Sequence, residues 1–129
     1  MRIGELAQAS GKTAKTLRFY EESGLLPPPE RSPAGYRDYA ADSIGRIAFI
    51  TRSQRAGLTL AQIREVLTIR DGGTAPCAHV QELLAQQLAS LDKQIAELLE
   101  LRRTVVQLHT DAASIDPAGC DPGSVCRYL

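Results

Sequence analysis

The sequence contains no apolar segment long enough to cross a membrane. A membrane-spanning helix needs roughly 18 uncharged apolar residues in a row, and no stretch of the chain approaches that length. The first ten residues, MRIGELAQAS, also lack the continuous apolar run of a signal peptide. We therefore expect a cytoplasmic protein that has no membrane partner.

Cysteine is absent from the first 76 residues, and only Cys77, Cys120 and Cys126 follow. An odd number of cysteines in a chain expected to be cytoplasmic argues against a structural disulfide framework. Thiolates select soft or borderline metal ions. Cys120 and Cys126 are separated by a segment containing Pro122 and Gly123, so this loop can fold back and present both sulfurs to one ion.

The chain carries no net charge, which alone would argue against a nucleic-acid partner. The charge is nevertheless uneven, because residues 1–70 hold eleven Lys and Arg against seven Asp and Glu, a net +4, and the remainder carries −4. Such asymmetry is typical of chains that bind DNA with one half, the alternative being an uneven scatter of surface charge. Enzyme signatures are missing: there is no nucleophile with a paired base, no phosphate-cradling glycine loop and no acid-base carboxylate pair.

The first quarter of the chain has the pattern of a helix-turn-helix. Apolar residues recur at helical spacing on both sides of a break at Gly11, with Thr13 placed to cap the second helix and Gly24 to end it. Leu17 and Phe19 are expected in the core. Polar side chains suited to phosphates and base edges should point outward from the second helix: Thr13, Lys15, Thr16, Arg18 and Glu22.

A small hairpin, or wing, and two further helices should follow. Residues 27–39 are rich in Pro, Ser, Gly and Arg and suggest two short extended pieces around a turn at residues 32–35. Ala41 or Asp42 should open the next helix, which ends at Gly57 and carries four residues on one face: Ile44, Ile47, Ala48 and Ile50. Thr59 and Gln62 predict a capping box for a short helix after it.

One long helix is predicted from about His79 to about Thr110. Its apolar seam follows a heptad pattern with two polar interruptions, through Leu84, Leu88, Leu91, Ile95, Leu98, Arg102, Val105 and His109. The chain offers nothing large enough to cover this stripe. We therefore expect it to pair with a second copy as a parallel or antiparallel coiled coil, the alternative being a helix packed on its own head.

The combined motif closely resembles the MerR family of bacterial transcription regulators. The resemblance rests on the run RFYEE at residues 18–22, on Gly35-Tyr36-Arg37-x-Tyr39 and on Gly57-Leu58-Thr59-Leu60, and it extends to about residue 110. It implies that residues matching Lys15 and Arg18 contact DNA and that one matching Tyr20 anchors the backbone. Wing residues matching Arg31, Tyr36 and Arg37 would grip phosphates. RNA polymerase at the promoter is the partner implied for an activator.

The metal-sensing regulators of this family are similar in their second half too. They pair a residue before the long helix with a cysteine loop of the other protomer, which in an antiparallel dimer would unite Cys77 with the partner's Cys120 and Cys126. A cysteine matching Cys77 accompanies divalent-ion sensors, so the resemblance implies Hg, Zn, Cd or Pb. The chain departs from the pattern where it has Ala112 in place of the first loop cysteine, with Cys126 added downstream.

Two histidines and two aspartates also lie near the cysteines. His79 could share an ion with Cys77 if the backbone there is not yet helical, or could simply face solvent in the first turn. His109 is expected in the seam or beside a ligand. Asp116 and Asp121 are expected to cap turns.

These observations predict a mainly α protein: a winged helix-turn-helix head, a long antiparallel coiled-coil helix for dimerisation, and a C-terminal metal-binding loop. The domain boundaries are predicted at residues 1–70 for the head, 71–78 for a hinge, 79–111 for the coiled coil and 112–129 for the effector loop. The expected function is binding of double-stranded operator DNA as a homodimer, with transcription activated when a thiophilic ion distorts the DNA. The alternatives are a thiol redox regulator using Cys120 and Cys126 without metal and, less favoured because the tail is short, a regulator of an organic effector.

Overall fold

The computed structural model describes all 129 residues of the chain. Two compact units are present, Met1–Leu84 and Ala85–Leu129. The protein is mainly helical, as predicted, and none of its helices combines the length and apolar character that a membrane crossing requires. The helices and strands are α1 (Ile3–Ser10), α2 (Ala14–Glu22), β1 (Glu30–Arg31), β2 (Arg37–Asp38), α3 (Ser43–Arg55), α4 (Leu60–Asp71) and α5 (Cys77–Ala113), followed by a single 3₁₀ turn at Pro117–Gly119.

Helices α1 and α2 form the predicted helix-turn-helix. Gly11 ends α1 with a φ of 70°, a conformation that side chains with a Cβ rarely adopt. The Thr13 hydroxyl then accepts a hydrogen bond from the Thr16 amide at 3.1 Å and caps the start of α2. Leu6 and Leu17 are fully buried where the two helices meet the rest of the head. Gly24, with a φ of 77°, turns the chain away after α2.

The predicted wing is a two-stranded antiparallel ribbon. Glu30 pairs with Asp38, and Arg31 pairs with Arg37. The turn between the strands is closed by the Gly35 amide, which donates to the Ser32 carbonyl at 2.8 Å. The wing is therefore short and exposed, and it leads directly into α3.

Helices α3 and α4 contribute much of the core of the head. The predicted capping box is present, because the Gln62 amide donates to the Thr59 hydroxyl at 3.1 Å and the Thr59 amide donates to the Gln62 side chain at 2.9 Å. Two of the four residues predicted on the apolar face of α3 do not lie in the core: Ala48 is exposed, and Ile44 is 37% exposed. Ile44 lies about 120° around the helix from Ile50, which carries it out of the buried stripe. The buried apolar residues of these two helices are Ile47, Ile50, Ile63, Val66 and Leu67.

Helix α5 begins two residues earlier than the pattern predicts and ends at Ala113. Its first backbone hydrogen bond runs from the Val80 amide to the Pro76 carbonyl at 2.9 Å. Proline has no amide hydrogen to donate, but its carbonyl can accept a hydrogen bond. Pro76, which the sequence predicts to be part of a loop, therefore lies at the start of the helix. Leu83 is 6% exposed and belongs to the core of the head, together with the partly buried Val80.

Candidate DNA-binding surface and metal-binding cysteines

Helix α2, the second helix of the helix-turn-helix and its predicted recognition helix, presents a polar outer face. Thr13, Lys15 and Arg18 are exposed, so the structure places three of the predicted DNA contacts where a DNA duplex could reach them. Leu17, one position before Arg18, is completely buried and fixes the orientation of the helix. Phe19 is 48% exposed, which corrects the expectation that it lies in the core. Two residues span about 200° of an α-helix, so Phe19 and Leu17 face nearly opposite sides.

Tyr20 lies in the core of the head and not on the outer face of α2. It is 3% exposed, and its hydroxyl donates to the Gln54 side-chain oxygen at 3.3 Å. Burial raises the pKa of Tyr20, so the phenol stays neutral around neutral pH. The hydrogen bond ties α2 to α3, and a DNA contact by Tyr20 stays a prediction.

The wing surrounds an exposed tyrosine with arginines. Tyr36 is 53% exposed, and the Arg31 guanidinium donates to the Gly35 carbonyl at 3.0 Å beside it. Arg37 lies 3.5 Å from the Glu21 carboxylate, which also accepts a hydrogen bond from the Tyr39 hydroxyl at 3.0 Å. Burial and the hydrogen bond to Glu21 raise the pKa of Tyr39. The Arg37–Glu21 contact connects the wing to the recognition helix.

Sequence reasoning missed Arg2 as part of this surface. Its guanidinium lies 4.1 Å from the centroid of the Tyr36 ring, a cation–π distance. Together with Arg31 and Arg37 it lines a shallow groove at the wing. No motif marks Arg2, because the contact joins two residues that lie 34 positions apart in the sequence.

At the start of α5, Cys77 and His79 do not form a local pair. Cys77 is exposed and is the first residue of the helix, so the non-helical backbone that a Cys-x-His chelate needs is absent. The His79 Nε2 atom is buried without a hydrogen-bond partner and lies 3.5 Å from the Glu65 carboxylate. Cys77 therefore needs further ligands from elsewhere to hold an ion.

The C-terminal loop is organised by the two aspartates predicted to cap turns. Asp116 accepts a hydrogen bond from the Ala118 amide at 3.0 Å, and Asp121 accepts one from the Gly123 amide at 2.8 Å. These turns place Cys120 and Cys126 on the wall of one small cleft of about 290 Å³. Both are free thiols, and Cys120 is half-buried.

Tyr128 fixes the end of this loop. Its hydroxyl donates to the Ile115 carbonyl at 3.1 Å, which connects the tail to the residues that follow α5. Desolvation and a hydrogen bond with Cys120 raise the pKa of the Tyr128 hydroxyl.

The donor set of the single chain suits a thiophilic ion but is incomplete. The cleft offers two sulfur donors, which fits soft and borderline ions better than Mg²⁺ or Ca²⁺. No group of three or more His, Cys, Asp or Glu side chains within the chain could hold an ion. Closed structural zinc sites use about four ligands. A four-ligand site would therefore need donors beyond the two thiols of the loop.

Comparison with known proteins gives a consistent result. Residues 1–68 match the family model described as MerR HTH family regulatory protein, and residues 44–108 match the model described as MerR, DNA binding. The transcriptional regulator HmrR of Rhizobium leguminosarum bv. viciae is 39% identical over 108 residues, covering 84% of this chain and 83% of that protein. The mercuric resistance operon regulatory protein of Bacillus cereus is 36% identical, covering 83% and 81%.

A solved structure extends the likeness to most of the chain. It is the crystal structure of the transcription regulator PbrR691 from Ralstonia metallidurans CH34 in complex with lead(II). It shares 34% sequence identity with this chain and covers 93% of it and 94% of its own length, with a TM-score of 0.80. The likeness therefore includes the second unit and not the DNA-binding head alone.

Proposed function

Since the chain belongs to the MerR family of DNA-binding helix-turn-helix regulators, we propose that it is a metal-responsive regulator acting on a promoter as a homodimer. The observation that carries the metal part is the cleft shared by Cys120 and Cys126. Two regulators of similar sequence point the same way, one named for mercuric resistance and one crystallised with lead(II). Nothing comparable favours the redox alternative.

DNA would be bound by the exposed face of α2 and by the wing. The predicted contacts on α2 are Thr13, Lys15 and Arg18, with Tyr20 behind them, and those on the wing are Arg31, Tyr36 and Arg37. Guanidinium and ammonium groups on these two elements suit the phosphates on either side of a major groove. The contact between Arg37 and Glu21 would keep wing and recognition helix in one register.

Dimerisation would use the exposed seam of α5. Leu88 is 61% exposed, Ile95 55% and Leu98 65%, and no part of the chain covers them. A row of leucines at heptad spacing is the pattern that a second α5 would cover. We propose an antiparallel pair, with residues 71–78 as the hinge, 79–111 as the coiled coil and 112–129 as the effector loop.

In such a dimer, Cys77 of one protomer and the partner's Cys120 and Cys126 would hold the ion. His79 is a weaker candidate ligand, because its Nε2 atom faces Glu65. A bound thiophilic ion would crosslink the three thiolates, and Cys77 begins the helix that continues into the head core at Leu83. Closing the site would thus displace one head relative to the other, distorting the promoter so that RNA polymerase can engage it.

The test compares metal binding, operator binding and operator distortion in fully reduced protein. Cys77→Ser, Cys120→Ser and Cys126→Ser should each remove metal-dependent distortion, read by permanganate reactivity of the spacer, while operator affinity stays within about threefold of wild type because the head is untouched. Mixing Cys77→Ser with Cys120→Ser subunits should restore one complete site per heterodimer.

Two outcomes would contradict the proposal. Spacer distortion that follows oxidation of Cys120 and Cys126 with no metal present would establish the redox alternative. Release of the protein from DNA by metal, without distortion, would replace activation by simple derepression. Replacement of Ser124, which lines the same cleft, by Ala is the matched control and should leave metal affinity unchanged.

A further inference from the structure

Arg46 on α3 joins two distant segments of the head. Its Nε atom donates to the Leu25 carbonyl at 2.6 Å, and its two terminal nitrogens donate to the Asp71 carboxylate at 2.8 and 3.0 Å. The Arg46 side chain is only 9% exposed. The two-pronged pairing with Asp71 has the fixed planar geometry that guanidinium and carboxylate groups form.

The Leu25 carbonyl belongs to the turn that ends the recognition helix. The amides of Leu25 and Leu26 both donate to the Tyr20 carbonyl, at 2.8 and 3.2 Å, so the turn is bonded to the last full turn of α2. A group that holds the Leu25 carbonyl therefore holds the C-terminal end of α2.

Asp71, the other partner of Arg46, is the last residue of α4. Only residues 72–76 separate it from Cys77 at the start of α5. Gly72 and Gly73 follow Asp71 directly, so the chain between the two helices has little side-chain packing of its own. The Arg46–Asp71 pair fixes the near end of this short connection to the head.

A second arginine makes a similar connection from α4. The Arg64 guanidinium donates to the Ser23 carbonyl at 3.2 Å, in the same turn after α2. Helix α4 is thus linked to the end of the recognition helix directly through Arg64 and, at its last residue, through Arg46.

We infer that Arg46 is a positioning residue that transmits movement of the segment before α5 to the recognition helix, through Asp71 on one side and the Leu25 carbonyl on the other. This inference rests on the proposed function, because it concerns how a change at Cys77 reaches DNA. The Asp71 side chain is 51% exposed, so its replacement leaves no cavity, and Arg46 keeps its hydrogen bond to the Leu25 carbonyl. The hydrogen bond from Arg46 holds the pKa of Asp71 below its usual range, in agreement with the geometry.

The test uses the full-length reduced protein with Asp71→Asn and Arg46→Lys. Asparagine keeps the size of the side chain but removes its charge, and lysine keeps the charge but loses the planar fork. With Pb(II) or Hg(II) as the probe, both variants should reduce metal-dependent permanganate reactivity of the spacer by about fivefold. Operator affinity without metal should stay within about twofold of wild type.

A measurement on the metal-free protein tests the link between Asp71 and the turn after α2 separately from metal sensing. Hydrogen exchange of the Leu25 and Leu26 amides should be faster in Asp71→Asn, because the turn loses one of its two links to α4 and keeps only the one through Arg64. Matched controls are Asp42→Asn and Arg70→Lys, whose side chains are exposed and lie near Arg46 in the same groove. Both controls should behave as wild type.

Each result has a distinct meaning. Full metal-dependent distortion in both variants overturns the inference, as does unchanged exchange of the Leu25 and Leu26 amides. If wild-type protein itself fails to distort the operator with metal, the proposed activation fails, and amide exchange alone decides on Arg46. If Arg46→Lys does not fold, Asp71→Asn decides.

Discussion

The two compact units of the chain differ in where their apolar residues lie. Every buried apolar residue of the protein falls within Met1–Leu84, whereas large apolar side chains of Ala85–Leu129 are exposed along α5. The head has a core of its own because four short helices present apolar faces to each other. The second unit has one long helix and a loop, so its stripe of leucines requires another chain.

The largest expected effect comes from breaking the uncovered stripe. Ile95→Glu should leave the protein monomeric at micromolar concentration, because pairing would bury a charge from each chain without a partner. We expect the dimer dissociation constant, measured by sedimentation, to rise by at least about 1000-fold.

The control for this change is Gln86→Glu, which adds the same charge at an exposed position off the seam. It should sediment as wild type. The circular-dichroism signal of the head should survive in both variants, and a head that unfolds together with the dimer would show that the two units are not independent.

A cavity in the core of the head should lower the stability of the head, whereas the charge at Ile95 should break the dimer. Ile63 is fully buried, and Ile63→Ala should lower the free energy of unfolding by about 3 kcal/mol. Urea denaturation followed by circular dichroism measures this loss. Ala61→Gly, at an exposed position of the same helix, should cost about 1 kcal/mol and serves as the comparison.

The smallest expected effect concerns two arginines of the head that are predicted to contact DNA. Arg18→Ala and Arg37→Ala should each weaken operator binding by about tenfold and flatten its dependence on salt, because each removes a positive group that we propose faces DNA. Fluorescence anisotropy at several salt concentrations measures both quantities. Arg103→Ala, exposed on α5, is the control. Equal affinity for all three variants would mean that the DNA surface lies elsewhere.

The same comparison explains which features the sequence could predict. Thr13, Gly24 and the pair Thr59 and Gln62 act on neighbouring residues, so local chemistry was enough to place them. The predictions for Phe19, Ile44 and Ala48 are wrong, since which side of a helix is buried depends on the elements packed against it. The Arg2–Tyr36 and Arg46–Asp71 contacts join distant segments, and no local pattern indicates them.

In the candidate metal site, too, the features set by neighbouring residues are the ones that the sequence predicts. The spacing of Cys120 and Cys126 is enough to predict that the loop folds back and presents both sulfurs together, because the five residues between them contain their own turn. The sequence identifies Cys77 as a candidate metal ligand, but it does not predict that α5 begins at this residue. A proline read as part of a loop was instead the first hydrogen-bond acceptor of α5.

The burial of Leu83 determines where this regulator can be divided. A fragment cut at residue 70 would remove Leu83 and Val80 and would leave a hole in the core of the head. We therefore expect an exchange of heads between related regulators to require a junction after Leu84, so that each head keeps the first two turns of α5. A hybrid joined in the loop before Cys77 would pack the first turns of one regulator's α5 against the head core of another, and these two surfaces have not evolved together.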